Sequence, residues 1–498
     1  MNYIKKGYVI IFMIILFGCS SLNTYDTSTS LNNRDNLQTT SDFYDSMLDT
    51  LKPNIALLTM FFNRMPKGGD LHHHYTGTIY AETYLDWVGE KSWWIDKCTL
   101  KIVKEKKDGT CDLLTVGQLI ANDVLYRKLL TLWSDKDYSN HSHNQLPPDT
   151  NFFNAFAYFG EVSGEYMDIG LNILKERAIK ENVTYIETML KRVGVKSSDY
   201  FTSNESAKYN KLLRNAKSQQ EVDEILSILD SRFEAEKGFT SSVNKFVSTV
   251  DDVHQGIDGD DFFMRYQTYA VRVLEPLQVF ADLFSGCLAA EKSQLIVGVN
   301  IVAPENNIVA LNDYTLHMRM YNYLARKFPN VNRALHAGEL ALGMVRPKDL
   351  TFHIQQACDI AQAQRIGHGV DLPFEQDFID QLRNLKEKAA IEINLTSNEF
   401  ILGIEGNKHP YLIYSSYDVP IVISTDDSGV SRNNLTNEYL LLATRYQPKY
   451  DRIKEYVYNS IEYSFLDQTK KSVLKKNIDV QFIVFESDMA GLYKSLNQ

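Results

Sequence analysis

The stretch MPKGGDLHHHYTG, residues 65–77, begins a pattern that recurs along the chain: a short strand-like run followed by polar side chains. If residues 69–75 form a β-strand, the side chains of His72 and His74 point to one face and that of His73 points to the other. Two imidazoles at the end of one strand make half of a transition-metal site. Because this pattern alone is weak, the other ligands must come from elsewhere in the chain.

Seven further apolar runs have the character of strands, and helical patterns separate most of them. These runs begin at residues 182, 262, 295, 332, 365, 389 and 419. Eight strands that alternate with helices predict an α/β fold in which parallel strands close into a (β/α)8 TIM barrel. An open, doubly wound sheet fits the alternation too, but no glycine-rich phosphate loop follows the first strand.

The 498-residue chain is 44% hydrophobic and can therefore bury a large core. We predict an N-terminal helical extension over residues 41–64 and a single barrel over residues 65–498. Two long insertions, at about 78–160 and 192–260, follow strands one and two, where loops shape the mouth of a barrel. The formal net charge of −11 argues against a nucleic-acid-binding protein, which would need a basic face.

The first 40 residues are predicted to lie outside the barrel. Two lysines and an apolar run end at Cys19, an arrangement that resembles a bacterial lipoprotein signal. Residues 1–18 would then be removed, Cys19 would carry the lipid, and residues 19–40 would form a flexible tether. The alternative is an uncleaved N-terminal anchor. A lipid-anchored chain would reside in the bacterial cell envelope, facing the periplasm or the surface, and Ser20 favours the outer membrane.

The other four cysteines are predicted to behave as two different pairs. Cys98 and Cys111 flank a hairpin-like stretch with Asp-Gly at its turn, and export of the chain would favour a disulfide between them. Cys287 and Cys358 lie in apolar, helix-like surroundings and are predicted to be buried thiols.

Polar side chains at the ends of later strands supply the missing ligands. His336 ends the fifth strand in HAGE, and Asp426 ends the eighth strand in STDD. Because the strand ends of a barrel meet at one rim, His72, His74, His336 and Asp426 are predicted to bind one zinc ion per chain. Three histidines and one aspartate leave room for a water molecule whose pKa the metal lowers.

Three more polar residues stand beside these ligands. Glu339 is predicted to donate a proton, whereas His368 and Asp427 would orient or deprotonate the water. Taken singly, His368 is more often a rim histidine, and the TDD run is more often a helix N-cap. Their joint placement at strand ends favours a catalytic site. A second His-x-His pair, at residues 141 and 143, lies in a polar loop and is predicted to be solvated.

Four motifs, MPKGGDLHHH, HAGE, RIGHG and STDD, occur in this order over residues 60–440. Together they resemble the adenosine deaminase family of metal-dependent amidohydrolases. The MPKGG sequence and the Cys-flanked insertion are most similar to the secreted growth-factor branch of that family. The N-terminal helical extension of that branch mediates dimerisation, so the resemblance suggests a homodimer.

The resemblance assigns a role to each candidate residue. The four predicted ligands would hold zinc, and Glu339 would donate a proton to purine N1. His368 would position the attacking hydroxide and stabilise the tetrahedral adduct, and Asp427 would hydrogen-bond to purine N7. The chain lacks the Pro-Cys-x-x-Cys signature of the cytidine-type zinc deaminases.

Thr76, Gly77 and Ala303 would line the nucleoside site, and two of these residues depart from the family pattern. Thr76 stands where the family has an acid that contacts the 5′ side of the ribose. Ala303 stands where the family has a glycine whose backbone contacts purine N3. Both departures bear on the identity of the nucleoside and neither touches the chemistry.

The resemblance implies conversion of adenosine or 2′-deoxyadenosine to inosine or 2′-deoxyinosine with release of ammonia. Three alternatives remain open. One is a deaminase of adenine or a modified nucleoside, which the two departures would suit. Another is a non-catalytic barrel that binds a purine or a protein partner, although such a barrel tends to lose a ligand or the acid. The third is a hydrolase of another bond, which typically uses a metal-bridging lysine that no central strand offers here.

Overall fold

A computed structural model describes residues 27–48, 52–106, 111–136 and 146–497. The predicted signal over residues 1–18, the lipidation site Cys19 and the histidines at 141 and 143 lie outside the described residues. Among the residues that the structure places, every helix is too short or too polar to cross a lipid bilayer.

Eleven strands occur in the described part of the chain. They are β1 (Gly68–His74), β2 (Trp94–Asp96), β3 (Ile102–Val103), β4 (Leu113–Leu114), β5 (Val183–Met189), β6 (Phe263–Val271), β7 (Ile296–Val302), β8 (Asn332–Ala337), β9 (Arg365–His368), β10 (Ala390–Ile393) and β11 (Ile421–Ile423).

Twenty α-helices accompany these strands within the same residues. They are α1 (Thr27–Leu48), α2 (Ile55–Arg64), α3 (Tyr75–Thr78), α4 (Ala81–Glu90), α5 (Val116–Ile120), α6 (Asp123–Trp133), α7 (Pro148–Ser163), α8 (Met167–Lys180), α9 (Ser203–Asn215), α10 (Gln219–Ala235), α11 (Lys237–Val253), α12 (Pro276–Lys292), α13 (Ile308–Lys327), α14 (His353–Asp359), α15 (Phe378–Lys388), α16 (Leu395–Leu402), α17 (Tyr411–Ser416), α18 (Leu435–Tyr446), α19 (Tyr450–Glu462) and α20 (Gln468–Leu496).

The eight strands other than β2, β3 and β4 form one parallel sheet in the order β1-β5-β6-β7-β8-β9-β10-β11. A parallel bridge between His73 and Asp426 joins the end of β11 to β1 and closes the sheet into a barrel. The backbone N–H of Asp426 donates to the carbonyl of His72 at 2.8 Å across this junction. The eight strands coincide with the eight predicted runs, which confirms the (β/α)8 TIM barrel.

The sequence of β11 shows why these runs become barrel strands. Ile421, Val422 and Ile423 are all fully buried, because one side of the strand faces the barrel interior and the other faces the surrounding helices. A continuous β-branched run suits such a strand, since neither face meets water. The polar residues that follow then emerge at the rim of the barrel.

The two insertions consist mainly of helices. Residues 78–160 contain α4 to α6, most of α7 and a small antiparallel sheet, and residues 192–260 contain α9 to α11, which pack against α12 and α13. Cys98 and Cys111 are joined in a disulfide, whereas Cys287 and Cys358 are free and buried, as predicted.

The predicted hairpin between the two bridged cysteines is wrong. The small sheet has the order β3-β2-β4, so β3 and β4 both pair with β2 and do not pair with each other. The side chain of Asp96 accepts hydrogen bonds from the backbone N–H groups of Cys98 and Thr99 at 2.9 and 2.7 Å. This side-chain cap turns the chain directly after β2. The Asp-Gly pair of the predicted turn lies outside the described residues.

The N-terminal segment is helical over a longer range than predicted. Helix α1 covers residues 27–48 and packs against α20, so much of the segment expected to be a flexible tether, residues 19–40, is helical. The Thr40 hydroxyl donates to the carbonyl of Glu486, and the Phe43 ring stacks on Tyr493 at 5.1 Å. These tertiary contacts stabilise a polar sequence that has no strong helical pattern of its own.

Candidate metal and active site

The four predicted metal ligands lie together at the carboxyl end of the barrel. The Nε2 atom of His336 is 3.0 Å from that of His72 and 3.1 Å from that of His74. Asp426 Oδ1 lies 3.5 Å from His72 Nε2 and 3.2 Å from His74 Nε2. One ligand atom from each of the four residues falls within 4.8 Å of all the others, so a single cation could contact all four.

The hydrogen bonds behind two of these histidines fit a cation at their centre. His72 Nδ1 is 2.7 Å from the carboxylate of Glu392, and His336 Nδ1 is 2.9 Å from the side-chain oxygen of Asn300. Since both acceptors require a proton on Nδ1, the neutral rings present their Nε2 lone pairs to each other. A metal ion between the lone pairs resolves this arrangement, and three imidazoles with one carboxylate suit zinc.

The electrostatics of the cluster also favour a positive charge. Burial lowers the pKa of His72, but Asp426 and Glu392 outweigh burial and raise it to about 10. Burial raises the pKa of Asp426, but His72 and His74 hold it well below its usual range. The cluster therefore contains an ionised carboxylate that attracts a cation into a fully buried position.

Glu339 and His368 stand beside the ligands. His368 Nε2 lies 3.7 Å from Glu339 Oε1 and 3.9 Å from Asp426 Oδ2. The Asn398 amide donates to His368 Nδ1 at 2.9 Å, so the neutral ring carries its proton on Nε2, which has no partner among the residues that the structure describes. Burial lowers the pKa of His368 to about 3, which keeps the ring neutral.

The carboxyl group of Glu339 is suited to give up a proton. Burial raises its pKa, and the nearby charges of Asp426 and Glu305 raise it further, to about 8. The carboxyl group therefore carries a proton near neutral pH, although a free glutamate would not.

Glu339 is held in place through its backbone. Its N–H donates to Glu305 at 2.9 Å, and His353 Nδ1 lies 2.6 Å from the same carboxylate. Burial raises the pKa of Glu305, but Arg272 and His353 outweigh burial and lower it to about 2. Arg272 also donates to the carbonyl of His336, so one buried ion pair supports both a candidate ligand and the candidate acid.

A cavity of about 450 Å³ opens onto this cluster. Thr76, Ala303 and Asp427, which the sequence predicts to contact the nucleoside, are among the residues that line it. Gly77 does not line it, and its role is to make room for Asp427. A Cβ atom at position 77 would lie 1.5 Å from Asp427 Oδ1, so only glycine fits there.

Asp427 lines the cavity and carries an unpaired oxygen. Its Oδ1 atom is buried and has no hydrogen-bond partner among the described residues. Burial and the neighbouring charge of Asp426 raise the pKa of Asp427 well above its usual range. A protonated carboxyl of this kind can donate a hydrogen bond to a ligand.

Backbone strain is concentrated around the same cavity. Ala303, His368 and Asp426 have φ angles of +86°, +71° and +60°, which lie in the region that favours glycine. Left-handed backbone at non-glycine residues clusters at functional sites, because the surrounding structure has to hold it. At position 303 the strain follows directly from the replacement of the family glycine.

We expect Ala303→Gly to raise the free energy of unfolding by about 0.5–1 kcal/mol. Relief of the left-handed backbone contributes about 1–2 kcal/mol, and the greater freedom of glycine in the unfolded chain offsets about half of it. Urea unfolding of both proteins measures the difference. Ala207→Gly, on the exposed face of α9, is the control and should cost about 0.5–1 kcal/mol. Equal destabilisation by the two substitutions would contradict the strain at position 303.

Buried polar groups that connect two of the ligands were not predicted from the sequence. Arg365 donates to Glu392 at 2.5 Å and also pairs with Glu187. Gln267 donates to Glu187 at 2.9 Å, and Asn300 donates to Gln267 at 3.0 Å. This buried chain runs from Glu392 behind His72 to Asn300 behind His336. Each of these polar residues interrupts a strand-like apolar run or begins one, which is the signal that could have revealed them.

The comparison with known proteins agrees with this site. The adenosine deaminase family model matches residues 241–481. The adenosine deaminases of Enterococcus faecalis and Clostridium kluyveri are 30% and 32% identical over 151 and 143 residues. These matches cover 30% and 28% of this chain and 41% and 38% of the relatives, so they span less than half of either relative.

The chain resembles the adenosine deaminase family over this range, which is just under half of its length. The matched range contains His336, Glu339, His368 and Asp426, whereas the histidines of β1 lie before it.

Two solved structures show the same fold. The N6-mAMP deaminase of Arabidopsis has a TM-score of 0.54 and 17% identity, over 84% of this chain and 99% of its own. An amidohydrolase from Burkholderia ambifaria with bound zinc has a TM-score of 0.52 and 14% identity, over 89% of this chain and 97% of its own. Assignment to the secreted growth-factor branch stays a prediction.

Proposed function

We propose that this chain is a zinc-dependent member of the adenosine deaminase family that deaminates adenosine and 2′-deoxyadenosine. One observation carries the proposal. Three histidine nitrogens and one carboxylate oxygen converge at the rim of the barrel, and a buried acid and a neutral histidine flank them at the base of a cavity. The family match and the fold support the same reaction class.

His72, His74, His336 and Asp426 would hold the zinc ion. When bound at such a site, zinc polarises water and lowers its pKa toward neutrality. The hydrogen bonds of Glu392 and Asn300 to the outer nitrogens of two histidines keep their rings in the required orientation.

The chain's own residues would perform the proton transfers. The oxygen of water adds to C6 of the purine, and Glu339 gives its proton to N1, which makes C6 more electrophilic. His368 presents Nε2–H to the oxygen that adds. Asp427 would hydrogen-bond to N7 and fix the orientation of the ring. One proton of the water passes to the amino nitrogen, the bond between C6 and that nitrogen breaks, and ammonia leaves. The remaining hydroxyl proton returns to Glu339, which leaves the 6-oxo purine and restores the acid.

The test is ammonia release from the full-length chain with one zinc ion per molecule. Adenosine and 2′-deoxyadenosine should each yield one ammonia per inosine or 2′-deoxyinosine formed, a chelator should abolish the activity, and added zinc should restore it. We also expect Asp426→Ala to lose bound zinc, measured by elemental analysis. Asp380→Ala, on the exposed face of α15, is the matched control and should keep the metal.

Each result discriminates between the candidate functions. Unchanged zinc content in Asp426→Ala would disprove the ligand set. Full zinc occupancy without ammonia from adenosine, 2′-deoxyadenosine or adenine would instead favour a barrel that binds a purine without turnover. Release of ammonia from adenine alone would favour a base deaminase.

A further inference from the structure

The outer part of the cavity has a different chemistry from its base. The ligands and Glu339 form the base. The rest of the lining is mainly apolar and includes Phe152, Phe153 and Phe156 from the insertion, with Met189 and Val271 from the ends of β5 and β6. The three phenylalanines come from α7, and the rings of Phe153 and Phe156 lie 5.2 and 5.8 Å from that of Phe152. The insertion after β1 therefore covers the mouth of the site with an aromatic surface.

No lysine or arginine from the described residues lines this cavity. The polar groups of its outer part belong to Thr76, Ser163 and Tyr269, and burial raises the pKa of Tyr269 to about 12, so all three are neutral. A phosphate group placed there would lose its hydration without gaining a cation. Such desolvation without a partner disfavours binding strongly.

The proposed reaction determines which part of the substrate faces this wall. The C6 edge of the purine must lie against the ligands and Glu339 at the base of the cavity. The N9 edge, with the ribose attached to it, then points toward the mouth. The 5′ substituent of the ribose is therefore the part of the substrate that meets the apolar outer wall.

We propose that the preferred substrates are 5′-deoxy-5′-alkylthioadenosines, in which an apolar thioether replaces the 5′-hydroxyl group. This inference rests on the proposed deaminase function. Burial of an alkyl group against an apolar wall favours binding, and a thioether sulfur makes favourable contacts with aromatic rings. The uncharged wall accommodates such a substituent and disfavours the 5′-phosphate of a nucleotide.

The test compares kcat/KM of the zinc-loaded, full-length chain for 5′-deoxy-5′-methylthioadenosine, adenosine and AMP. One additional apolar group in a fitted pocket changes kcat/KM by roughly 10- to 200-fold. We therefore expect the methylthio compound to exceed adenosine by about tenfold. The kcat/KM for AMP should be about a thousandfold lower than that for adenosine, because burying a phosphate without a cation costs more free energy than burying an apolar group contributes.

A variant of the wall separates substrate recognition from catalysis. Phe153→Ser should lower kcat/KM for the methylthio compound about tenfold and change that for adenosine much less. Phe378→Ser, on the exposed face of α15 and away from the cavity, is the matched control and should leave the ratio unchanged. Calorimetry with the products should show the same order, with 5′-methylthioinosine bound more tightly than inosine and IMP bound least.

Two failures would be distinguishable. If none of the three substrates yields ammonia at full zinc occupancy, the proposed function is wrong. If, in addition, the products do not bind in the order 5′-methylthioinosine, inosine, IMP, from tightest to weakest, the substrate class is overturned as well. If adenosine is deaminated faster than the methylthio compound, or AMP within tenfold of adenosine, the deaminase stands and the preference for apolar 5′ groups is overturned.

Discussion

Glu339→Gln should lower kcat for adenosine by roughly 10³-fold, within the range typical for loss of a general acid, and leave the zinc content unchanged. Glutamine has the shape of glutamate but no acidic proton to give to the purine. The backbone contact with Glu305, at 2.9 Å, does not depend on the side chain, so the turn should keep its position. Because proton donation acts in the transition state, KM should change far less than kcat.

Measurement of kcat and KM, with zinc analysis of the same samples, would test this effect. Glu224→Gln, on the exposed face of α10, is the matched control and should retain wild-type kcat. A general acid contributes about 10²-fold or more to the rate. If Glu339→Gln kept more than about a tenth of the wild-type kcat, Glu339 would therefore not be the proton donor. A loss of zinc in parallel with activity would indicate a structural role for the carboxyl group.

The barrel could be predicted because its strands are local features of the sequence. Each of the eight is a short apolar run, and parallel strands buried on both faces need such runs. The site residues could be predicted for a related reason. His336 and His368 lie at the carboxyl ends of buried strands and Asp426 shortly follows another, and the topology of a barrel brings such positions to one rim.

Features that depend on distant contacts could not be predicted in the same way. Helix α1 extends into the expected tether because it packs against α20, which lies more than 400 residues away in the sequence. The aromatic wall of the cavity depends on where α7 lies above the barrel, and periodicity contains no information about that position. The small sheet differs from the expected hairpin because β3 and β4 both pair with β2, and the pairing of strands across a loop is not a local feature of the sequence.

The buried polar residues behind the metal ligands could be predicted only in part. Glu187 and Glu392 are visible in the sequence as acids inside strand-like apolar runs, and a buried acid requires a partner. The sequence could not show that both acids share Arg365 as that partner, because the three residues come from three different strands. Only the closed barrel brings them into contact.

Arg365→Met should lower the free energy of unfolding by about 3–5 kcal/mol, the usual effect of removing one partner from a buried ion pair. Arg365 is completely buried, pairs with Glu187 and Glu392, and donates to the carbonyl of Tyr463 at 3.0 Å. Its guanidinium also lies 3.8 Å from the ring centre of Phe465. Methionine would fill similar space but would leave two carboxylates buried without a counterion.

Denaturant unfolding would measure the loss. Arg383→Met is the matched control, because Arg383 forms an exposed ion pair with Asp380 on α15, and such pairs contribute about 0–1 kcal/mol. If both substitutions had the same small effect, the two buried acids would not depend on Arg365 for their charge.

Glu392→Gln tests the same network where Arg365→Met fails to fold. The substitution keeps the shape of Glu392 but replaces the carboxylate that holds His72 Nδ1 at 2.7 Å. Loss of such a supporting hydrogen bond typically lowers metal affinity by about 10- to 100-fold. Competition with a chelator would measure that affinity, and kcat at saturating zinc should stay close to the wild-type value. Because Glu392 acts through His72 and does not touch the substrate, a large fall in kcat at full zinc occupancy would show that it has a more direct role in the reaction.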